Sequence, residues 1–412
     1  MPQSSTAPAS SLPRSPAQRN RLSWKVCLAG MVALSVAMGI GRFAFTPLLP
    51  LMLHEGSLNL QMGGWLATAN YLGYFVGAMA CALHRSKRGV RMLRIGLVAT
   101  ILLTLGMGLL QWNWLWLLMR FLSGVASAYV FVYTAGWCLH QLTQLQRPEL
   151  GGVIFCGPGL GIALTGLLTG PMISAGWVAA GGWIAYGIIA LGLTALVWQT
   201  FRFDAGQGQA SATTNTTDAS AQESPRQKRE VTVQVIAYGI AGFGYIITAT
   251  FLPVIARQAL PGSAWPDYFW PIFGLSVAAG AFSATRLSVH TDQRLLLTAA
   301  YLMQAAGVLL SILFPNAWGF ALSCLLLGLP FTAITLFGMR EARRLRREQA
   351  SSLMALMTAA YGIGQIAGPP LATSLVHASG SFTPSLCVAA ITLLIGAALY
   401  YRLTRTHRLP IH

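Results

Sequence analysis

Two arginines, Arg42 and Arg120, lie inside long apolar stretches of this chain, whereas none of its ten carboxylates does. An arginine at membrane depth without a counter-charge costs about 2.5–3.5 kcal/mol on insertion scales, so it tends to face a cavity or a partner. Its planar guanidinium can bind two oxygens of a carboxylate or phosphate at once. For each arginine, anion contact and a purely structural role remain alternatives. The structural alternative for Arg42 is capping of the carbonyls freed by Pro47 and Pro50.

Polar and aromatic side chains are expected to line the same path as these arginines. Asn70 and Tyr74 are one helical turn apart, as are Tyr361 and Gln365, and Tyr245 follows Arg42 by 203 residues. Polar groups at mid-membrane usually face the inside of a helix bundle, although hydrogen bonds between helices can satisfy them without a ligand. The predicted substrate-binding residues are Arg42, Asn70, Tyr74, Arg120, Tyr245, Tyr361 and Gln365.

The composition requires apolar surroundings for most of the chain. Of 412 residues, 55% are hydrophobic and 9% are charged, against about 25% charged in soluble domains. The chain is therefore predicted to be an integral membrane protein. The net charge of +17 does not indicate nucleic-acid binding, since the basic residues form short clusters between apolar segments. The six cysteines have no close spacing and are predicted to be buried thiols. We find no catalytic residues, metal site or cofactor motif, and predict that the protein is not an enzyme.

Twelve segments are long enough, at about 20 apolar residues, to cross a bilayer. Their approximate ranges are 26–53, 62–83, 93–111, 114–139, 150–173, 178–200, 232–256, 267–287, 295–315, 317–339, 352–376 and 384–403. Residues 1–22 are predicted to be a disordered cytoplasmic tail and 202–230 a cytoplasmic linker. The linker separates a six-helix bundle at 23–201 from a second bundle at 231–412, which ends in a short cytoplasmic tail.

The distribution of Lys and Arg predicts the orientation. With a cytoplasmic amino terminus, 24 of the 27 basic residues fall on the inside and only Arg257 falls on the outside, a strong positive-inside asymmetry. The prediction is a multi-pass protein of the inner (plasma) membrane with both termini in the cytoplasm. Its expected partners are the lipid bilayer and a small-molecule substrate, and it is expected to be monomeric.

The two halves repeat at a nearly constant offset. An offset of 203 or 204 residues pairs Gly39 with Gly242, Gly41 with Gly244, Pro50 with Pro253, Gly77 with Gly280, Arg91 with Arg294, and Gly124 with Gly328. Parallel repeats of six helices joined by a linker are typical of alternating-access transporters. The residues predicted to kink or pack helices are Gly39, Gly41, Pro47, Pro50, Gly124, Gly157, Pro158, Gly161, Gly368 and Pro369.

Several motifs resemble the major facilitator superfamily. The run Arg120-Phe-Leu-Ser-Gly124 resembles its RxxxG element, and Gly157-Pro-Gly-Leu-Gly161 is similar to the GPxxG core of a motif linked with antiporters. Residues 39–50 and 64–74 look like the YbfB/YjiJ-type branch. The resemblance implies the major facilitator fold, an all-α membrane protein with twelve transmembrane helices in two six-helix bundles. The loop after the second segment lacks the family's aspartate, since Cys81, Ala82, Leu83 and His84 stand at the nearby positions.

The leading functional prediction is a secondary transporter for a small organic anion, based on the two arginines. The alternative is a multidrug or metabolite efflux antiporter for neutral or cationic compounds, which the helix-5 motif suggests. A membrane receptor that does not transport is a remote third. Transport is expected to couple to protons, through the substrate's own carboxylate, or to a counter-transported anion. Glu55 and Asp267 are the only acids near the predicted outer entrance.

Overall fold

The computed structural model describes residues 15–83, 88–202, 224–288, 290–346 and 349–406, which contain helices and no strand. The first half holds α1 (Pro16–Leu34), a π-helix (Ser35–Ile40), α2 (Phe45–His54), α3 (Leu60–Leu83), α4 (Gly89–Leu109), α5 (Asn113–Gln144), a 3-10 helix (Pro148–Cys156), α6 (Gly157–Ser174), α7 (Ala179–Trp198) and a 3-10 turn (Thr200–Arg202). The second half holds α8 (Pro225–Ala259), α9 (Pro266–Arg286), α10 (Gln293–Leu313), α11 (Ala317–Leu345), α12 (Ala350–Ser379) and α13 (Thr383–Thr406).

The helices have the length and hydropathy of membrane spans. Ten helical stretches in the described residues are long and apolar enough to cross a bilayer, the first of them extending from Pro16 to His54 through the π-helix. Helices α9 and α12 are not among the ten; both carry Ser, Thr, Tyr, Gly and Pro residues. The exposed surface includes large apolar side chains such as Leu83, Leu196 and Trp318. The described part of the chain is thus all-helical, and its ten apolar helices indicate a multi-pass membrane protein.

The first predicted span is interrupted instead of being one α-helix. Pro47 and Pro50 have no N–H, so the carbonyls four residues before them lose their usual helical partners. The carbonyl of Phe43 accepts a hydrogen bond from Thr46 N at 3.2 Å instead. The π-helix and the turn that follows it place Arg42 on a non-α segment. Such π segments are frequent at functional sites.

Glycines bring helices into close contact in both halves. A Cβ at Gly73 of α3 would overlap the carbonyl of Phe121 on α5, and a Cβ at Gly280 of α9 would overlap that of Leu329 on α11. The predicted packing glycine Gly124 likewise lies against the backbone of α3. Small residues permit such close helix crossings in membranes. The α3–α5 and α9–α11 crossings are therefore built in the same way, as the sequence repeat suggests.

The predicted tail and linker extend too far into the helices. Helix α1 begins at Pro16, where Ser15 Oγ accepts a hydrogen bond from Gln18 N at 3.2 Å. Helix α8 begins at Pro225, and Ser224 Oγ caps it in the same way. Serine at the N-cap followed by proline is a strong helix start. Residues 16–22 and 225–230 are therefore helical, which corrects the prediction. Residues 1–14 and 203–223 lie outside the described residues.

A buried ion-pair cluster joins four helix ends of the second half. Arg294 is 1% exposed; its Nε donates to Glu341 at 2.6 Å, one terminal nitrogen donates to Glu230 at 2.8 Å, and the other donates to the carbonyl of Leu403 at 3.0 Å. The sequence analysis placed no carboxylate inside an apolar stretch and did not anticipate this cluster. The cluster forms because α8, α10, α11 and α13 meet here. We call this side of the molecule, where α1, α8 and α10 begin and α5, α11 and α13 end, the basic face.

Replacement of Arg294 by glutamine is expected to destabilise the protein strongly. The variant keeps two buried carboxylates, Glu230 and Glu341, and removes the buried cation that donates to both of them. Breaking a buried pair on one side costs about 3–5 kcal/mol. Thermal unfolding of the purified protein measures the loss, with Arg343→Gln as the control because Arg343 is exposed on the same face. Equal melting temperatures for the two variants would contradict the prediction.

Candidate functional site

A chain of hydrogen bonds connects Arg42 with the second half of the protein. Arg42 is 4% exposed, and one terminal nitrogen donates to Gln365 Oε1 on α12 at 2.9 Å. Gln365 in turn donates through Nε2 to the hydroxyl of Tyr245 on α8. Three of the predicted site residues, far apart in sequence, thus meet in space. We call Arg42, Gln365, Tyr245, Tyr74 and Tyr361 the Arg42 cluster.

Aromatic rings surround the guanidinium of Arg42. Its Cζ lies 4.2 Å from the ring centroid of Tyr74, 5.1 Å from that of Tyr71 and 5.3 Å from that of Phe43. The ring of Tyr361 stacks on the ring of Tyr245, with the two ring centroids 5.9 Å apart. A cation over an aromatic face gains about 0.5–2 kcal/mol, more when it is desolvated. These rings stabilise the charge in part but do not neutralise it.

Arg42 has no carboxylate partner among the residues that the structure describes. The ion pairs found there involve Arg147, Arg226, Arg257, Arg294 and Arg344. The Nε of Arg42 is buried and makes no hydrogen bond to any residue that the structure describes. A buried charge without a counter-charge is costly. The cluster is therefore electrostatically suited to an anion with oxygen acceptors.

Arg120 donates hydrogen bonds to the backbone of the turn that contains Arg42. Its terminal nitrogens donate to the carbonyls of Gly41 at 3.1 Å and Arg42 at 2.9 Å. Ser123 Oγ reaches the same Gly41 carbonyl at 2.7 Å, and Asn70 Nδ2 donates to the carbonyl of Arg120 at 3.0 Å. The structure thus places Arg120 and Asn70 behind the turn. Arg120 therefore caps carbonyls of the turn itself, and these are not the carbonyls four residues before Pro47 and Pro50.

The remaining predicted kink and packing residues lie around this turn or where helices touch. A Cβ at Gly39 would overlap Gly161 on α6, and a Cβ at Gly41 would lie 2.7 Å from the side chain of Thr100. Gly157 faces the backbone of α1, and Gly368 faces α8. Pro158 lies in the first turn of α6, and Pro369 lies within α12. The turn at Arg42 is thus enclosed by close-packed neighbours.

Aromatic packing closes the cluster on the side away from the basic face. Phe43 contacts Trp270 and Phe331 with ring centroids 6.3 Å apart in each pair. Beside Trp270 lies a cavity of about 10 Å³ that residues of both halves line. Tyr74 and Tyr361 are half-buried and lie about one turn nearer the basic face than Tyr71 and Gln365. This arrangement favours access to the cluster from the basic face.

Both acids that the sequence placed near an entrance have partners. Glu55 Oε1 accepts a hydrogen bond from Ala179 N at 2.7 Å, and Asp267 forms an ion pair with Arg257. Neither acid is among the residues that contact Arg42. In the described ranges, no three His, Cys, Asp or Glu side chains are grouped as a metal site would require.

Sequence reasoning missed Tyr71 as a member of the site. Its hydroxyl shares a hydrogen bond of 2.8 Å with Thr250 on α8, and its ring faces Arg42. Tyr71 is three residues before Tyr74, a spacing that puts both on one helix face. That spacing was the available signal, but the sequence interpretation paired Tyr74 with Asn70, which is one helical turn away.

The chain has long apolar helices, and a buried cation of the first half is hydrogen-bonded to the second half. These features are typical of membrane transporters. Residues 34–401 match the family described as "Uncharacterised MFS-type transporter YbfB", and the chain therefore belongs to this family of major facilitator transporters. A comparison with curated proteins gives no match. The resemblance identified from the sequence motifs is thus confirmed.

Proposed function

We propose that this protein carries a small organic monoanion across the membrane by alternating access, and that Arg42 contacts the anion. The observation that carries the proposal is the buried guanidinium between the two halves, which has an amide and three aromatic rings around it but no carboxylate among the described residues. A carboxylate substrate would supply the missing charge and would accept the Nε–H that has no hydrogen bond within the described part of the chain.

The architecture that we propose has twelve crossing helices in two bundles of six, with the basic face in the cytoplasm. The positive-inside asymmetry supports this orientation. The contacts between α3 and α12 and between α6 and α9 support two bundles that meet along paired helices. In this arrangement the Arg42 cluster lies where the bundles meet, the usual location of a substrate site in such transporters.

Anion binding would alter contacts between the two halves. In the structure, the amide oxygen of Gln365 occupies one donor of Arg42 at 2.9 Å. A carboxylate that binds this donor competes with the amide, so the α12 contact weakens when substrate is present. A ligand shifts a conformational equilibrium only through such differential contacts. Substrate binding is thereby linked to movement of one bundle against the other.

We propose an aromatic or similarly planar monocarboxylate as the substrate, and the residues of the cluster support this choice. One cation lies in the cluster, which favours a single negative charge. The rings of Tyr74, Tyr245 and Tyr361 offer faces and edges against which a planar body can stack; stacked aromatic pairs gain about 0.5–1.5 kcal/mol beyond their buried area. The hydroxyl of Tyr245 and the amide of Gln365 supply polar contacts that would orient the carboxylate.

Uptake into proteoliposomes tests the proposed function. Benzoate is expected to be taken up faster than the neutral isostere benzamide and faster than the dianion phthalate, since only benzoate matches one cation and an aromatic wall. Uptake driven by a pH gradient or by preloaded anion separates the two coupling alternatives. Equal transport of benzamide, or preferred transport of an aromatic cation, would favour the efflux antiporter and reject the anion carrier.

A further inference from the structure

A charged cavity, separate from the Arg42 cluster, lies at the basic face between the start of α8 and the end of α13. Its volume is about 370 Å³, within the range of roughly 300–1,000 Å³ that is common for ligand pockets. The transport site that we propose does not include it. The lining residues are Arg226, Arg229, Glu230, Val233, Leu399, Arg402 and Leu403.

The charges of this cavity favour an anion. Three arginines line it, against one carboxylate, that of Glu230. Glu230 already accepts a hydrogen bond from the buried Arg294 at 2.8 Å, while its contact with Arg226 Nε is longer, at 3.4 Å. Arg229 and Arg402 are exposed. The Glu230 carboxylate is therefore engaged by Arg294, and the positive charge of the lining exceeds what it can balance.

The apolar lining favours an amphiphile over a free ion. Val233 follows Arg229 by one turn on α8, and Leu399 precedes Arg402 by one turn on α13. Both helices belong to stretches apolar enough to cross a membrane. The arginines thus lie at the charged ends of these helices, and the aliphatic side chains lie one turn further along the spans. A phospholipid has the same order of groups, with a charged headgroup phosphate followed by an apolar acyl chain.

We propose that this cavity binds an anionic phospholipid, with its phosphate between Arg229 and Arg402 and an acyl chain along Val233 and Leu399. Basic pockets between transmembrane helices on the cytoplasmic side are suited to such headgroups. The bound lipid would lie next to Glu230 and thus next to the Arg294 ion-pair cluster. It would stabilise the contact between α8 and α13. The shared chemistry is a phosphate anion, and the apolar lining favours lipid as its source.

Nanodiscs of defined composition test the site with the full-length protein. Wild type, Arg229→Gln/Arg402→Gln and the control Arg21→Gln/Arg343→Gln are reconstituted in phosphatidylcholine, with or without a minor fraction of phosphatidylglycerol. The control removes two exposed arginines of the basic face that do not line the cavity. We expect phosphatidylglycerol to raise the melting temperature of wild type and control. The affinity of phosphatidylglycerol for the Arg229→Gln/Arg402→Gln variant should be roughly 30-fold lower than for wild type.

Three further measurements make the result decisive. Equal melting temperatures in phosphatidylcholine alone would show that the variants fold normally. Mass spectrometry of lipid retained after purification should find phosphatidylglycerol on wild type and control and a loss from the cavity variant. Addition of inorganic phosphate to phosphatidylcholine nanodiscs should leave the melting temperature unchanged. Stabilisation by phosphate alone, or the same phosphatidylglycerol response in both double variants, would overturn the proposal.

Discussion

Replacement of Arg42 by lysine is expected to slow uptake of aromatic monocarboxylates by roughly tenfold or more. The variant keeps the charge but loses the planar fork, which can donate two parallel hydrogen bonds to one carboxylate. A hydrogen bond to a charged group contributes about 1.5–3 kcal/mol, which corresponds to about 10- to 150-fold in binding. Initial uptake rates over a range of substrate concentrations measure the effect. Arg42→Gln, which also removes the charge, should be slower still.

Arg120→Lys is the matched control for this prediction. It makes the same substitution at the other buried arginine, whose terminal nitrogens donate to the carbonyls of Gly41 and Arg42. Its melting temperature should fall because one of the two capping bonds is lost, whereas the preference for benzoate over benzamide should persist. Wild-type uptake by Arg42→Lys, or loss of substrate preference in Arg120→Lys alone, would contradict the assigned roles.

The sequence was informative about most of the spans because membrane depth imposes length and hydropathy on a crossing helix, and ten helical stretches of the described residues meet both requirements. The cluster itself was only partly predictable. Arg42, Tyr245 and Gln365 were selected one by one as polar groups in apolar runs, but the hydrogen bond between Arg42 and Gln365 joins residues 323 positions apart. No local periodicity specifies such a pair. It results from tertiary packing, in which α12 lies against α3 and α8 and the Arg42 side chain reaches Gln365.

The Arg294 cluster was missed for a related reason. Arg294, Glu230 and Glu341 all lie near the ends of apolar segments, where charges are ordinarily solvated and act as topology signals. Burial here comes from the convergence of four helix ends, which is a tertiary property. By contrast, the N-caps at Ser15 and Ser224 followed a recognisable local rule. The composition of the predicted tail and linker outweighed that rule in the sequence interpretation.

Replacement of Gln365 by glutamate is expected to reduce anion uptake as severely as loss of Arg42. The new carboxylate would occupy the position of an amide oxygen that lies 2.9 Å from the guanidinium. Its tether gives it a high effective concentration, of millimolar order or above, so a free substrate anion competes poorly. The hydroxyl of Tyr245, which now accepts from the amide, can rotate to donate to the carboxylate. Uptake should fall about tenfold or more while the melting temperature rises, since charge-assisted hydrogen bonds are roughly twice as strong as neutral ones.

A lower uptake together with a higher melting temperature would distinguish competition for Arg42 from simple damage to the fold, which lowers both. Gln365→Leu, the control, removes the acceptor without adding charge; it should lower the melting temperature and retain more uptake than the glutamate variant. In a transporter that must break the contact between Arg42 and α12 to move its substrate, a stronger contact stabilises one conformation and slows the exchange. A glutamate variant that is more stable and yet transports benzoate at the wild-type rate would show that substrate does not compete for Arg42, and would move the anion site elsewhere.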